Sequence, residues 1–220
     1  MSLILPNIDI NIENIITNLP YPAHLKDPKT SKYLFSNNAN LHLYKLQNVE
    51  QVIGYTIEDF DSFMKPCWGK NFIEDVKHLE YKATFNNINV EDSRVILTLD
   101  GKVMFHYMKK VPIWGKYTDK IIGIFTFSQD FTKQRTLLEL YESYKMFYFS
   151  KNQAISKFLN HIECSKYFIK FPTESELKIL LAKRNFSSNK IIANYFKISP
   201  KTVEIYSSNL IKKLKDENLP

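Results

Sequence analysis

The last quarter of the chain carries three helix-start signals whose spacing leaves little choice of local structure. Thr173-Glu174-Ser175-Glu176 is a capping box, in which Thr173 caps the helix start and Glu176 reaches back to the Thr173 amide, with Leu177, Leu180 and Leu181 as apolar positions. Asn185, a residue that tolerates the left-handed conformation, is placed to end this helix. Ser188 then caps a second helix carrying Ile191, Ile192, Ala193 and Phe196. Ser199-Pro200 is an N-cap followed by proline at the first helical position, and Val203, Tyr206, Leu210 and Leu214 form one apolar stripe behind it. Three short helices with brief connections result, the last two with helix-turn-helix spacing.

Charge singles out the same region. From Lys166 onward there are eleven basic residues against five acidic, which leaves 19 basic and 18 acidic in the rest of a chain of net charge +7. A basic tail on a neutral body suits a polyanionic partner. With the Val203, Ser207, Leu210 and Leu214 side buried, at about 100° per residue, the opposite side of the third helix carries Lys201, Glu204, Ile205, Ser208 and Lys212. Glu204 can accept from cytosine N4, Ile205 can touch a thymine methyl, and Ser208 can bond several base edges. Lys190, Lys201, Thr202 and Lys212 suit phosphates.

Ser188-Asn189-Lys190-Ile191-Ile192-Ala193, Ile198-Ser199-Pro200-Lys201-Thr202-Val203-Glu204 and the run from Asn209 to Leu214 resemble the LuxR/FixJ-type DNA-binding domain. The resemblance implies that the helix opened by Ser199-Pro200 enters the major groove, and family contacts fall at matching places on it. Two departures stand out. Members usually carry glycine near Phe186 and at Lys197, and this chain has neither. The stub after Leu214 also leaves no room for the fourth helix common in the family.

Ahead of the tail, Ile8, Ile12, Ile15, Ile16 and Leu19 are spaced for a short amphipathic helix, which Leu19-Pro20-Tyr21-Pro22 ends. Short β-prone runs follow at Tyr33–Phe35, Arg94–Leu99, Val103–Met108 and Ile121–Phe127, with Asp100-Gly101 marking a tight hairpin and a mixed helical stretch over Val49–Leu79. This order is α+β with an antiparallel sheet. Leu19–Pro22, Leu25-Lys26-Asp27, Tyr33-Leu34-Phe35, Asn38-Ala39 and Val52–Thr56 resemble the opening of PAS domains. Asp100-Gly101-Lys102, Lys109–Ile113, Ile121–Ile124 and Asp130-Phe131-Thr132 resemble their closing strands. A sheet with helices on one side makes a cleft of the kind that takes a small ligand. No cofactor is evident: the Asn-Cys-Arg block of flavin photosensors is absent, and Lys65 rather than histidine precedes Pro66. His24, His42, His78, His106 and His161 are scattered and read as core or surface residues, Trp68 and Trp114 as core, and Cys67 and Cys164 as small buried thiols.

From Thr132 to Ile162 the chain has no glycine or proline, and Leu137, Tyr141, Tyr144, Tyr148, Ile155, Phe158 and Ile162 form a seam interrupted by Lys151. Such a seam serves either a dimer interface or a helix packed back on its own chain, and Ser150-Lys151-Asn152 can divide it. The expected organisation is an N-terminal helix (1–18), a PAS-like sensory domain (19–132), a helical linker and possible dimer interface (133–165) and an all-α helix-turn-helix domain (166–220). The expected function is that of a bacterial transcription regulator, binding double-stranded DNA as a homodimer. The rival is a signalling adaptor that binds a protein. An enzyme is not expected: with five glycines there is no phosphate-binding loop, no metal cluster and no nucleophile motif. The opening residues lack a basic leader and the apolar runs are too short to span a bilayer, which points to the cytoplasm.

Overall fold

Along Val103–Trp114 the side chains of Met108, Lys110 and Pro112 fall on one face of an extended strand and Val111 and Ile113 on the other, the two-residue period of a strand covered on both sides. This is β4, an inner strand of the sheet in a computed structural model that describes residues 10–68 and 71–215. Ile8 lies outside them, as does the side chain of Trp68.

The chain forms two units, 1–132 and 133–220. In the first, α1 (Ile10–Asn18) precedes β1 (Ala23–Lys26) and β2 (Tyr33–Ser36). Next come α2 (Asn38–Leu43), α3 (Asp61–Trp68) and α4 (Phe72–Phe85), then β3 (Val90–Leu97), β4 and β5 (Ile121–Asp130). The five strands are antiparallel in the order β2-β1-β5-β4-β3, a PAS-like sheet with its helices inserted between β2 and β3. The β3–β4 hairpin turns through Gly101 at φ 77°, which suits the Asp100-Gly101 signal.

One face of the sheet meets α1: Ile16 is buried with Ala23 and Leu25 against Phe125, Phe127 and Ile113. The other carries Tyr33, Leu41, Tyr44, Val52, Phe60, Met64 and Cys67 beneath the inserted helices. Asn37 stitches the start of the sheet together, its side-chain amide donating to the carbonyls of Ile16, Leu19 and Tyr21. Asp130 accepts from the Thr132 amide at 2.7 Å while the Thr132 hydroxyl accepts from the Phe105 amide at 2.9 Å, which fixes the end of β5 to β4. Trp114 is 47% exposed rather than in the core, because it follows a register shift at the end of β4. Cys67 is buried as expected, whereas Cys164 is only partly so.

In the second unit the seam from 132 to 162 is broken into α5 (Leu137–Phe147) and α6 (Lys151–His161), with Tyr148 extended between them. Tyr141 and Tyr144 meet Phe158 edge-on, and the Tyr144 hydroxyl lies 2.7 Å from His161 Nδ1. Tyr141, Tyr144, Ile155 and Phe158 of the seam are all buried at 1% exposure or less, so this part of it packs within its own chain, the second of its two uses. Three helices follow, α7 (Glu174–Asn185), α8 (Asn189–Phe196) and α9 (Pro200–Ile211). Glu142, Lys145 and Lys151 of α5 and α6 form ion pairs with Glu174 and Lys178 of α7. Among the described residues no helix is long and apolar enough to cross a membrane.

Candidate nucleic-acid interface and front-domain cavity

Each helix of the tail begins where its cap lies. The Thr173 and Glu176 side chains form the reciprocal capping box, Ser188 Oγ accepts from the Ile191 amide at 3.3 Å, and Ser199 Oγ accepts from the Thr202 amide at 3.1 Å. Ile179, Ala182, Ile192, Ala193 and Val203 make the small core between them, with Phe186, Phe196, Ile198 and Tyr206 around it. Val203 lies in this core and Leu210, two turns on, is buried as well, so α9 is fixed in rotation.

The two expected glycine positions are solved differently. At the end of α7 the chain turns straight into an extended Phe186, φ −125°, which any residue can adopt, so Asn185 ends the helix without a left-handed turn. At the end of α8, Lys197 itself takes the left-handed conformation, φ 54°, and its amide donates to the carbonyls of Ala193 and Asn194.

Rotation of α9 leaves Lys201, Glu204, Ile205, Ser208 and Lys212 exposed together on its solvent side, with Lys190 exposed on α8. Thr202 is half-buried, and its hydroxyl lies 2.8 Å from Ser199 Oγ in the cap. The segments flanking the three helices meet: Ile169 N donates to Lys213 O at 2.9 Å and Lys215 N to Tyr167 O at 3.0 Å.

The front unit holds a cavity of about 40 Å³ between sheet and inserted helices. Behind it lies a charge cluster absent from the sequence expectations. Glu80 Oε1 of α4 accepts from Lys26 Nζ of β1 at 2.8 Å and from Lys110 Nζ of β4 at 3.2 Å, and all three side chains are at most 3% exposed. Lys26 also sits over the Tyr33 ring at 4.5 Å. Burial opposes ionisation of Glu80, but the two ammoniums outweigh it and bring the carboxyl down to about 2. Burial brings Lys110 down to about 8 despite Glu80, with Lys26 repelling in the same direction. Burial, then Lys26 and Lys110, hold His24 well below its usual range, and burial, then Arg94, brings His106 to about 4, so both rings are neutral at pH 7. His24 Nε2 and both His106 ring nitrogens are sealed from solvent without a hydrogen-bond partner. The signal for the cluster was in the strand period: Lys110 shares the inward phase of β4 with Met108 and Pro112.

A PAS-like sheet unit and, further along the chain, a helix-turn-helix with a polar outward face are the two parts that the fold defines. The tail is assigned more narrowly: residues 173–220 match the model of "Bacterial regulatory proteins, luxR family", and the chain carries that family's helix-turn-helix at its C-terminal end. No curated protein matches the sequence. Among solved structures, Vibrio cholera VqmA in a complex with ligand and DNA is similar over 94% of this chain and 82% of its own, at 21% identity and a TM-score of 0.50, a likeness of fold. The PAS domain of Bordetella pertussis BvgS is similar over 62% of this chain and 95% of its own, at 20% identity and a TM-score of 0.48.

Proposed function

We propose that this chain is a cytoplasmic transcription regulator that binds double-stranded DNA through α9 as a homodimer, with the PAS-like unit sensing a small molecule. The observation that carries the reading is the placement of Lys201, Glu204, Ile205, Ser208 and Lys212 on one solvent face of a helix whose other face is locked in the tail's core. In this reading Glu204, Ile205 and Ser208 touch base edges, and Lys190, Lys201 and Lys212 hold phosphates. Thr202 acts through the helix cap, with its hydroxyl within reach of the backbone. A single α9 reads only a few base pairs, and two recognition helices about one DNA turn apart make a specific site, which supports pairing of subunits. The similar Vibrio cholera protein, seen with ligand and DNA, supports the division of labour between the two units.

Footprinting of the full chain on genomic fragments tests the proposal. Protection of a defined, two-fold related sequence, with affinity falling steeply with salt, is the expected result. Absence of any salt-dependent DNA binding, together with salt-insensitive capture of a protein, supports the adaptor reading instead.

A further inference from the structure

The walls of the front cavity are charged with one sign only. Lys26, Lys110 and Arg94 reach its lining, and among the described lining residues there is no carboxylate. The nearest is Glu80, which lies behind the wall and spends one oxygen on both ammoniums while the other has no hydrogen-bond partner. Arg94 is already matched by its ion pair with Asp92. Two buried ammoniums against one buried carboxylate leave a surplus positive charge, and an uncompensated charge in a protein interior costs several kcal/mol. The lining also holds neutral groups that can donate, among them His24 and His106, whose rings have unpartnered nitrogens, and the hydroxyls of Thr126 and Ser128.

We infer that this cavity binds a small monoanion, a carboxylate or like oxyanion, whose charge is matched by Lys110 and Lys26 and whose oxygens take hydrogen bonds from the surrounding ring nitrogens and hydroxyls. The inference rests on the reading of the front unit as the sensor and specifies the chemistry sensed. Its size follows from the cavity: about 40 Å³ is room for roughly three waters, and so for a molecule of a few heavy atoms. A neutral ligand of the same shape leaves the surplus charge unmatched and forfeits the advantage.

The test pairs acids with their amides. Acetate, propionate and pyruvate are added to the full chain at matched ionic strength beside acetamide, propionamide and pyruvamide, and binding is read by calorimetry and thermal unfolding. At least one acid is expected to bind and raise the unfolding temperature by about 2 °C or more, with its amide inert. Lys110→Met is expected to lower that affinity at least tenfold. In the unaltered chain, affinity is expected to fall as pH rises through the Lys110 range near 8. The groups facing Lys110 are Glu80 from α4, Lys26 and His24 from β1 and Arg94 from β3. Glu80 stays ionised and His24 stays neutral between pH 7 and 9, so the fall reports the lysine. Equal binding of acid and amide, no binding by any acid, or affinity unchanged from pH 7 to 9.5 overturns the inference. DNA binding is measured on the same samples as a separate arm. Loss of DNA recognition with anion binding intact removes the regulator reading and leaves the ligand class standing, and the converse removes only the ligand class.

Discussion

Lys213, beyond the end of α9, donates to Glu176 Oε2 in the first turn of α7 at 2.6 Å, while the same carboxylate accepts from the Thr173 amide at 2.7 Å. One buried glutamate therefore closes the cap of the tail's first helix and holds the exit of its last. Burial works against ionisation of Glu176, but Lys213 and Thr173 outweigh it and hold its carboxyl below the usual range. Glu176→Gln is expected to destabilise the tail by about 1–3 kcal/mol, read as a lowered urea midpoint at pH 7. Because the folded-state carboxyl is the stronger acid, this contribution is present above the unfolded value of about 4.5 and is lost as pH falls through the folded one. An unaltered midpoint at pH 7 would show that the pair contributes nothing.

Lys197 holds a left-handed turn at the end of α8 that glycine adopts without steric cost. Lys197→Gly should raise stability by about 1 kcal/mol, since the strain removed exceeds the loss from a more flexible unfolded chain. Thermal unfolding followed by circular dichroism decides it, and a fall in the midpoint refutes the assignment of strain.

Phe158 is fully buried between Tyr141 and Tyr144 inside one chain. Phe158→Ala should cost about 3–5 kcal/mol by opening a cavity, and should leave the sedimentation coefficient of the folded protein unchanged. Conversion of a dimer to a folded monomer would return this seam to the subunit interface.

Phosphate and base contacts on α9 should separate in DNA titrations. Lys201→Ala is expected to weaken all sites alike and to lower the salt slope by about one unit, whereas Glu204→Ala relaxes preference at one base pair by about 1–3 kcal/mol. Sequence preference that survives Glu204→Ala intact means that α9 docks in a different rotation.

Local chemistry made some of this architecture readable from the sequence. Ser188, Ser199-Pro200 and the Thr173/Glu176 box act within four residues of themselves, so their effect needs no knowledge of the rest of the chain. The turn at Gly101 is local in the same way. What stayed hidden depends on distant partners. Lys26, Glu80 and Lys110 are polar residues on inward phases, and only the meeting of β1, α4 and β4 makes their burial tolerable. The seam from Leu137 to Ile162 had the right period for two uses, and only the break at Tyr148, which no period announces, lets Phe158 meet Tyr141 and Tyr144 of its own chain. β1 is only four residues long, too short to announce itself by alternation.

The paired backbone of Tyr167–Ile169 and Lys213–Lys215 sets the entrance and exit of the three-helix tail two hydrogen bonds apart. The chain thus enters and leaves the three helices at one place, and the loop they close is pinned at its neck by backbone alone, whatever side chains occupy it.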